Sequence, residues 1–295
     1  MVIRFTPFRL LVAATALGMS AAHGELAYVA DAANDRVVVI DTAGPTPIDS
    51  IAVGHRPIDV IVNPSGTRLY VANEYDDTVS VVETVDRAII ARIPGMTALR
   101  GLAMNASGTR LFVAAYDSIH VVDTATNQAV GVPLPLALGQ CRYASGKPAV
   151  DPPGITVYVP IDDCAYPYSS RGMLAIIDVR DAAAVVNVMV GTGPNSATLD
   201  AARNRLYVPN WWDGSMSIID TRDRSVIATI PFGPNVYPTL AAADPVRPRA
   251  YVTDNGAGGV RIIDTADGTI SGNPIDVGGG GHSVSRSAKM ARSRT

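Results

Sequence analysis

From residue 26 onward the chain is a succession of short stretches in which apolar and polar positions alternate, separated by clusters of Gly, Pro, Asn, Asp and Ser. A period of two marks half-buried β-strands, and the clusters mark turns. One unit shows the scheme. Arg56–Asn63 alternates after Gly54, and Asn63-Pro-Ser-Gly-Thr67 is a turn. Arg68–Asn73 is a second strand and Thr78–Glu83 a third, with Val79, Val81 and Val82. Thr84–Arg87 is a turn, and Ala88–Ile93 is a fourth strand. The second strand carries a signature that recurs along the chain. It reads Tyr28-Val-Ala-Asp31, Tyr70-Val-Ala-Asn73, Phe112-Val-Ala-Ala115, Tyr158-Val-Pro-Ile161, Tyr207-Val-Pro-Asn210 and Tyr251-Val-Thr-Asp254, at spacings of 42, 42, 46, 49 and 44 residues. Third strands follow as Val38-Val-Ile-Asp41, Val81-Val-Glu83, Val121-Val-Asp123, Ile176-Ile-Asp178, Ile218-Ile-Asp220 and Ile262-Ile-Asp264.

Short strands at a fixed long period predict an all-β fold, a β-propeller of four-stranded blades with one blade per repeat. The six visible repeats favour six blades; seven is the other count to test. Composition agrees. The chain has 24 Asp against 3 Glu and 22 Arg against 2 Lys, so the good helix formers are scarce and turn formers abundant. Asp41, Asp123, Asp178, Asp220 and Asp264 close the third strands. Their recurrence points to turn-capping carboxylates, because a ring of catalytic acids would not need that symmetry.

The N-terminus reads as a secretory signal over residues 1–24. Arg4 and Arg9 precede the apolar Leu10–Leu17, and Ser20-Ala-Ala22 and Ala22-His-Gly24 offer small-residue cleavage sites. Export to the periplasm or the extracellular space is therefore expected. The apolar run is too short to span a bilayer. The propeller domain is expected over residues 25–281 and a tail over 282–295. The first repeat begins with its second strand, so it lacks an inner strand. The tail lies where one would be supplied, and a strand there would close the ring by pairing the two termini; with one β-branched apolar residue, it pairs weakly or stays disordered. The formal net charge of −3 gives no general attraction to nucleic acid.

The repeats resemble the YVTN family of β-propeller repeats, found in surface-layer and periplasmic proteins. The resemblance covers residues 26–277. It rests on Tyr-Val-x-Asn, then Val-x-Val-Ile-Asp-Thr, then a strand ending in Gly, as in Ser225-Val-Ile-Ala-Thr-Ile-Pro-Phe-Gly233. Members of this class commonly have seven blades. Likeness to propellers implies that ligands and partners bind on the face bearing two loop types: those entering each inner strand and those joining strands two and three.

On that face the entering loops place His55, Arg56, Arg100, Arg142, Tyr237 and His282. The second loops place Glu74, Tyr116, Asp162, Asn210, Trp211, Trp212 and Asp254. The candidate ligand-binding set is Arg56, Arg100, Tyr116, Arg142, Trp211, Trp212 and Tyr237. Adjacent Trp211 and Trp212 are the chain's only tryptophans. They suit partner recognition or sugar stacking, or else packing between blades. The three arginines suit a carboxylate or phosphate, or else pair with Glu74, Asp76 or Asp117. Cys141 and Cys164, the only cysteines, are expected to form a disulfide in an exported chain.

The leading expectation is a monomeric, non-enzymatic propeller that binds a partner protein or small ligand, with no catalytic residue, metal or cofactor assigned. The alternative is a propeller enzyme: a lactonase-like hydrolase with an ion on Glu74, Asp162, Asn210 and Asp254, or a redox protein using a quinone or haem-type cofactor, for which His55 and His282 are ligand candidates.

Overall fold

The computed structural model describes residues 11–13, 26–44, 46–136, 142–163, 172–256, 258–276 and 285–287. Six small antiparallel sheets stand in a ring, and among the described residues there is no helix. This is a six-bladed β-propeller. In the second blade Pro57–Val62, Arg68–Asn73, Thr78–Glu83 and Ile89–Ile93 pair in that order, close to the strands read from the alternation. The fifth blade (Thr198–Asp200, Arg205–Asn210, Ser215–Asp220, Val226–Pro231) and the sixth (Pro238–Ala243, Arg249–Asp254, Gly259–Asp264, Ile270–Asp276) repeat it. The inner position of the fourth blade is split between Arg142–Ala144 and Ala149–Val150, both paired with Thr156–Asp163.

The Tyr-Val signature has a packing basis. Side chains alternate across a strand, so the aromatic residue and the valine face opposite sides of the blade. Tyr70 packs in the seam toward the third blade with Val81, Leu102 and Leu111. Val71 packs in the seam toward the first blade with Tyr28, Val39, Val60 and Val62. The same division holds for Phe112 and Val113, Tyr158 and Val159, and Tyr207 and Val208. The aromatic ring always faces the next blade and the valine the preceding one. Each repeat thus supplies half of two seams, and no blade buries its apolar surface alone.

Turn chemistry follows the sequence. Asn63 Oδ1 accepts from the N–H groups of Thr67 and Arg68, and Gly66 takes a φ of 74°. Asp41, Asp123, Asp178, Asp220 and Asp264 accept from the backbone N–H of the residue two positions on: Ala43, Ala125, Arg180, Arg222 and Ala266. The Arg180 side chain and N–H bring Asp178 down to a pKa of about 2. Arg222 pulls Asp220 down further, with help from Arg205. In the second blade, where Glu83 closes the strand, Asp86 caps the turn by accepting from Ala88 N–H.

The terminal segments meet at the closing seam. The tail strand Ser285–Ser287 pairs in parallel with Leu11–Ala13, and the first blade's own sheet has three strands. Leu11–Ala13 runs beside Leu26–Asp31 and Pro57–Val62, and Ser285–Ser287 beside Pro238–Ala243 and Arg249–Asp254. Part of the N-terminal segment read as a leader thus lies at the closing seam.

Candidate functional site

Strands one and two of a blade are antiparallel, so the loops flanking them meet on one face, where they continue the ladder. Glu74 N–H donates to Arg56 O at 3.0 Å, Tyr116 N–H to Thr97 O at 3.4 Å, Trp211 N–H to Gly193 O at 2.8 Å and Asn255 N–H to Tyr237 O at 3.0 Å. Carboxylates tie one blade's loop to the next: Asp35 accepts from Arg56 N–H and Asp77 from Ala98 N–H, each at 2.8 Å. Arg56 is held there with a φ of 52°, a left-handed conformation costly for an L-residue.

Two groups of side chains rise from this face. Across the second, third and fourth blades runs a strip of alternating character. The Arg56 guanidinium carbon sits 4.9 Å from the Tyr75 ring centroid. Arg56 also donates to Glu74 through Nη1. Arg100 reaches the same carboxylate at 3.4 Å and lies 5.7 Å from the Tyr143 ring centroid. Tyr143 stacks on Tyr116, with centroids 5.6 Å apart and planes 8° from parallel. Burial is the main factor raising the Tyr143 phenol, Asp162 adds to it, and Arg100 opposes it.

On the fifth and sixth blades Trp211 meets Tyr237 at 5.6 Å and Trp212 edge-on at 6.4 Å. Both tryptophans sit in the turn just beyond Asn210 rather than on the strand. Trp211 is half-buried and Trp212 is 62% exposed. Trp212 lies over Gly193, whose missing Cβ would stand 2.3 Å from the indole. A larger residue at position 193 would displace the indole.

Of the sequence-predicted set, Arg56, Arg100 and Tyr116 thus share one group and Trp211, Trp212 and Tyr237 another. Arg142 begins the strand Arg142–Ala144, in register with Asp163. Cys141, Cys164 and His282 lie outside the described residues. His55 is paired with Asp76 at 2.7 Å, and that bond raises its imidazole pKa.

The hydrolase ion set does not converge. Among the described residues no three His, Cys, Asp or Glu side chains are grouped to hold a metal. Arg56 and Arg100 take Glu74, Arg261 takes Asp254 at 2.9 Å, and Asn210 donates to Ser215 and Ser217.

Sequence reasoning missed Tyr143 and a pair in the ring interior. Lys147 Nζ of the fourth blade lies 2.7 Å from Asp59 Oδ1 of the second, and Asp59 also accepts from Leu102 N–H. A lone acid in the apolar Pro57–Val62 strand was the available signal.

No family model and no curated protein matches the sequence. Among solved structures the chain is similar to Kuenenia stuttgartiensis hydrazine synthase. The two align with a TM-score of 0.73 and 21% identity over 88% of this chain and 76% of that one. At that identity the likeness concerns the fold, the β-propeller.

Proposed function

We propose that this chain is an exported propeller-type binding protein, built of YVTN-like repeats, that recognises a partner protein or small ligand on its loop face. One observation carries the reading. The exposed aromatic side chains among the described residues, Tyr75, Tyr116 and Trp212, all stand on that face. Exposed aromatic rings are characteristic anchors of recognition surfaces. The opposite face offers single valines, Val85 and Val246, among turns whose polar groups bond one another.

The test is asymmetric. The protein is used as affinity bait on envelope extract of its own cells, alongside Trp211→Ala/Trp212→Ala and Ser65→Ala/Ser107→Ala double variants. The species held by wild type should be retained by the serine variant and fall roughly tenfold, about 1.4 kcal/mol, with the tryptophan variant. The reverse pattern, with both variants folded by circular dichroism, moves the function to the other face.

Export also supports a Cys141–Cys164 disulfide. Two cysteines in an exported chain favour a pair over two free thiols. Thiol titration of the unreduced, denatured protein should find no free thiol; two free thiols refute the bond.

A further inference from the structure

We infer that Arg100 anchors an oxyanion site, one that takes a carboxylate or phosphate carried on a flat, apolar body. The inference rests on the loop-face reading and names the ligand chemistry of one part of that face.

The first ground is the unspent hydrogen-bonding capacity of Arg100. A guanidinium has five N–H donors in a planar fork. Among the described residues the Arg100 side chain makes one hydrogen bond, the long 3.4 Å contact to Glu74, and its Nε has no partner. Some arginines elsewhere in the protein are better served. Arg222 gives two bonds to Asp220, Arg261 two to Asp254, and Arg203 one to Asp200 and two to backbone carbonyls. Glu74 cannot serve Arg100 fully, because Arg56 already holds it closely. Two cations therefore share one carboxylate.

The other acids nearby do not change that balance. Asp76 is engaged by His55. Asp162 acts on the Tyr143 phenol and has a partner of its own. Arg100 remains 29% exposed, so an arriving oxyanion meets a charge already partly stripped of water. Such charge-assisted bonds are stronger than those between neutral groups.

The second ground is the surface beside the cation. Tyr143 lies beside the Arg100 guanidinium and stacks on Tyr116. Tyr116 is itself 44% exposed, so it offers apolar ring surface on the same strip. Tyr75, 72% exposed, borders Arg56 at the far end of the strip. A bare oxyanion would use only the cation. A ligand joining an oxyanion to a planar or apolar group would use both, through the chain of contacts from Arg100 to Tyr143 and from Tyr143 to Tyr116.

Calorimetric titration of the wild-type protein with simple probes tests this: benzoate, phenyl phosphate, acetate, inorganic phosphate and benzylamine. Benzoate or phenyl phosphate should bind, and the ratio of the two identifies the preferred oxyanion. Acetate and inorganic phosphate should bind at least roughly tenfold more weakly, and benzylamine not at all. Arg100→Gln should lose the aryl anion roughly tenfold or more, Tyr116→Ala should abolish the preference for aryl over simple anions, and Ser65→Ala should change neither.

Wild-type protein that binds no aryl anion, or a folded Arg100→Gln variant that binds it as wild type does, overturns the inference. If Arg100→Gln lowers only the melting temperature, Arg100 is a structural counter-ion to Glu74 and the site is refuted. Any of these failures leaves the loop-face reading standing as long as capture of the envelope species stays sensitive to Trp211 and Trp212. If capture is insensitive to them, the broader reading falls whatever the anions do.

Discussion

Val71→Asp should destabilise the protein by more than about 4 kcal/mol. Val71 is fully buried in the seam between the first and second blades, and its cross-strand neighbours are Val60 and Ser80. A carboxylate there is enclosed by the apolar side chains of the seam and must be desolvated or protonated; both are costly. Val71→Ala removes only two methyl groups and should cost about 1–2.5 kcal/mol. Thermal melts followed by circular dichroism separate the two variants. A Val71→Asp protein melting within a few degrees of wild type would remove Val71 from the seam, and with it the rule that each valine faces the preceding blade.

Gly146→Ala should destabilise by about 3 kcal/mol or more. The added Cβ would stand 1.6 Å from the Asn195 carbonyl oxygen and 2.5 Å from its carbon. Both are backbone atoms of the fifth blade, and no rotamer change relieves the contact. The seam must part instead. With it go the bonds from Lys147 N–H to Asn195 O and from Ala197 N–H to Lys147 O, which join the inner edges of the fourth and fifth blades. Gly44→Ala is the control. Nothing lies within 4 Å of its added Cβ, so it should be neutral or slightly stabilising. Urea titration of both variants decides the matter, and equal midpoints would contradict the close approach of Gly146 to Asn195.

Most of the fold was legible because it is local and repeated. The Arg68–Asn73 and Thr78–Glu83 strands match their predicted bounds. The turn roles of Asn63 and the strand-closing aspartates depend only on residues a few positions away. Legibility ended at the inner edge of the fourth blade, where two short strands replace one, and at the closing seam, where Ser285–Ser287 pairs with Leu11–Ala13. Neither segment has an alternation long enough to specify a partner.

The candidate site divides along the same line. That Arg56, Arg100, Tyr116, Trp211 and Tyr237 share a face follows from counting strands: antiparallel order sends every second loop to the same side. Which of them meet could not be counted. Arg100 reaching Glu74, Tyr143 stacking on Tyr116 and Lys147 crossing to Asp59 join loops and strands of different blades. Those contacts are set by ring curvature and by individual backbone conformations such as that of Arg56. The repeat by itself determined the blades, their seams and the face that carries the loops, because those depend on periods of two and of about 42–49 residues written into the chain. The tertiary structure alone decided that Arg56 and Arg100 converge on one carboxylate and that the Nε of Arg100 is left buried without a partner among the described residues. Two arginines in equivalent loops read alike in sequence; only the folded ring shows that they meet at a single carboxylate, Glu74.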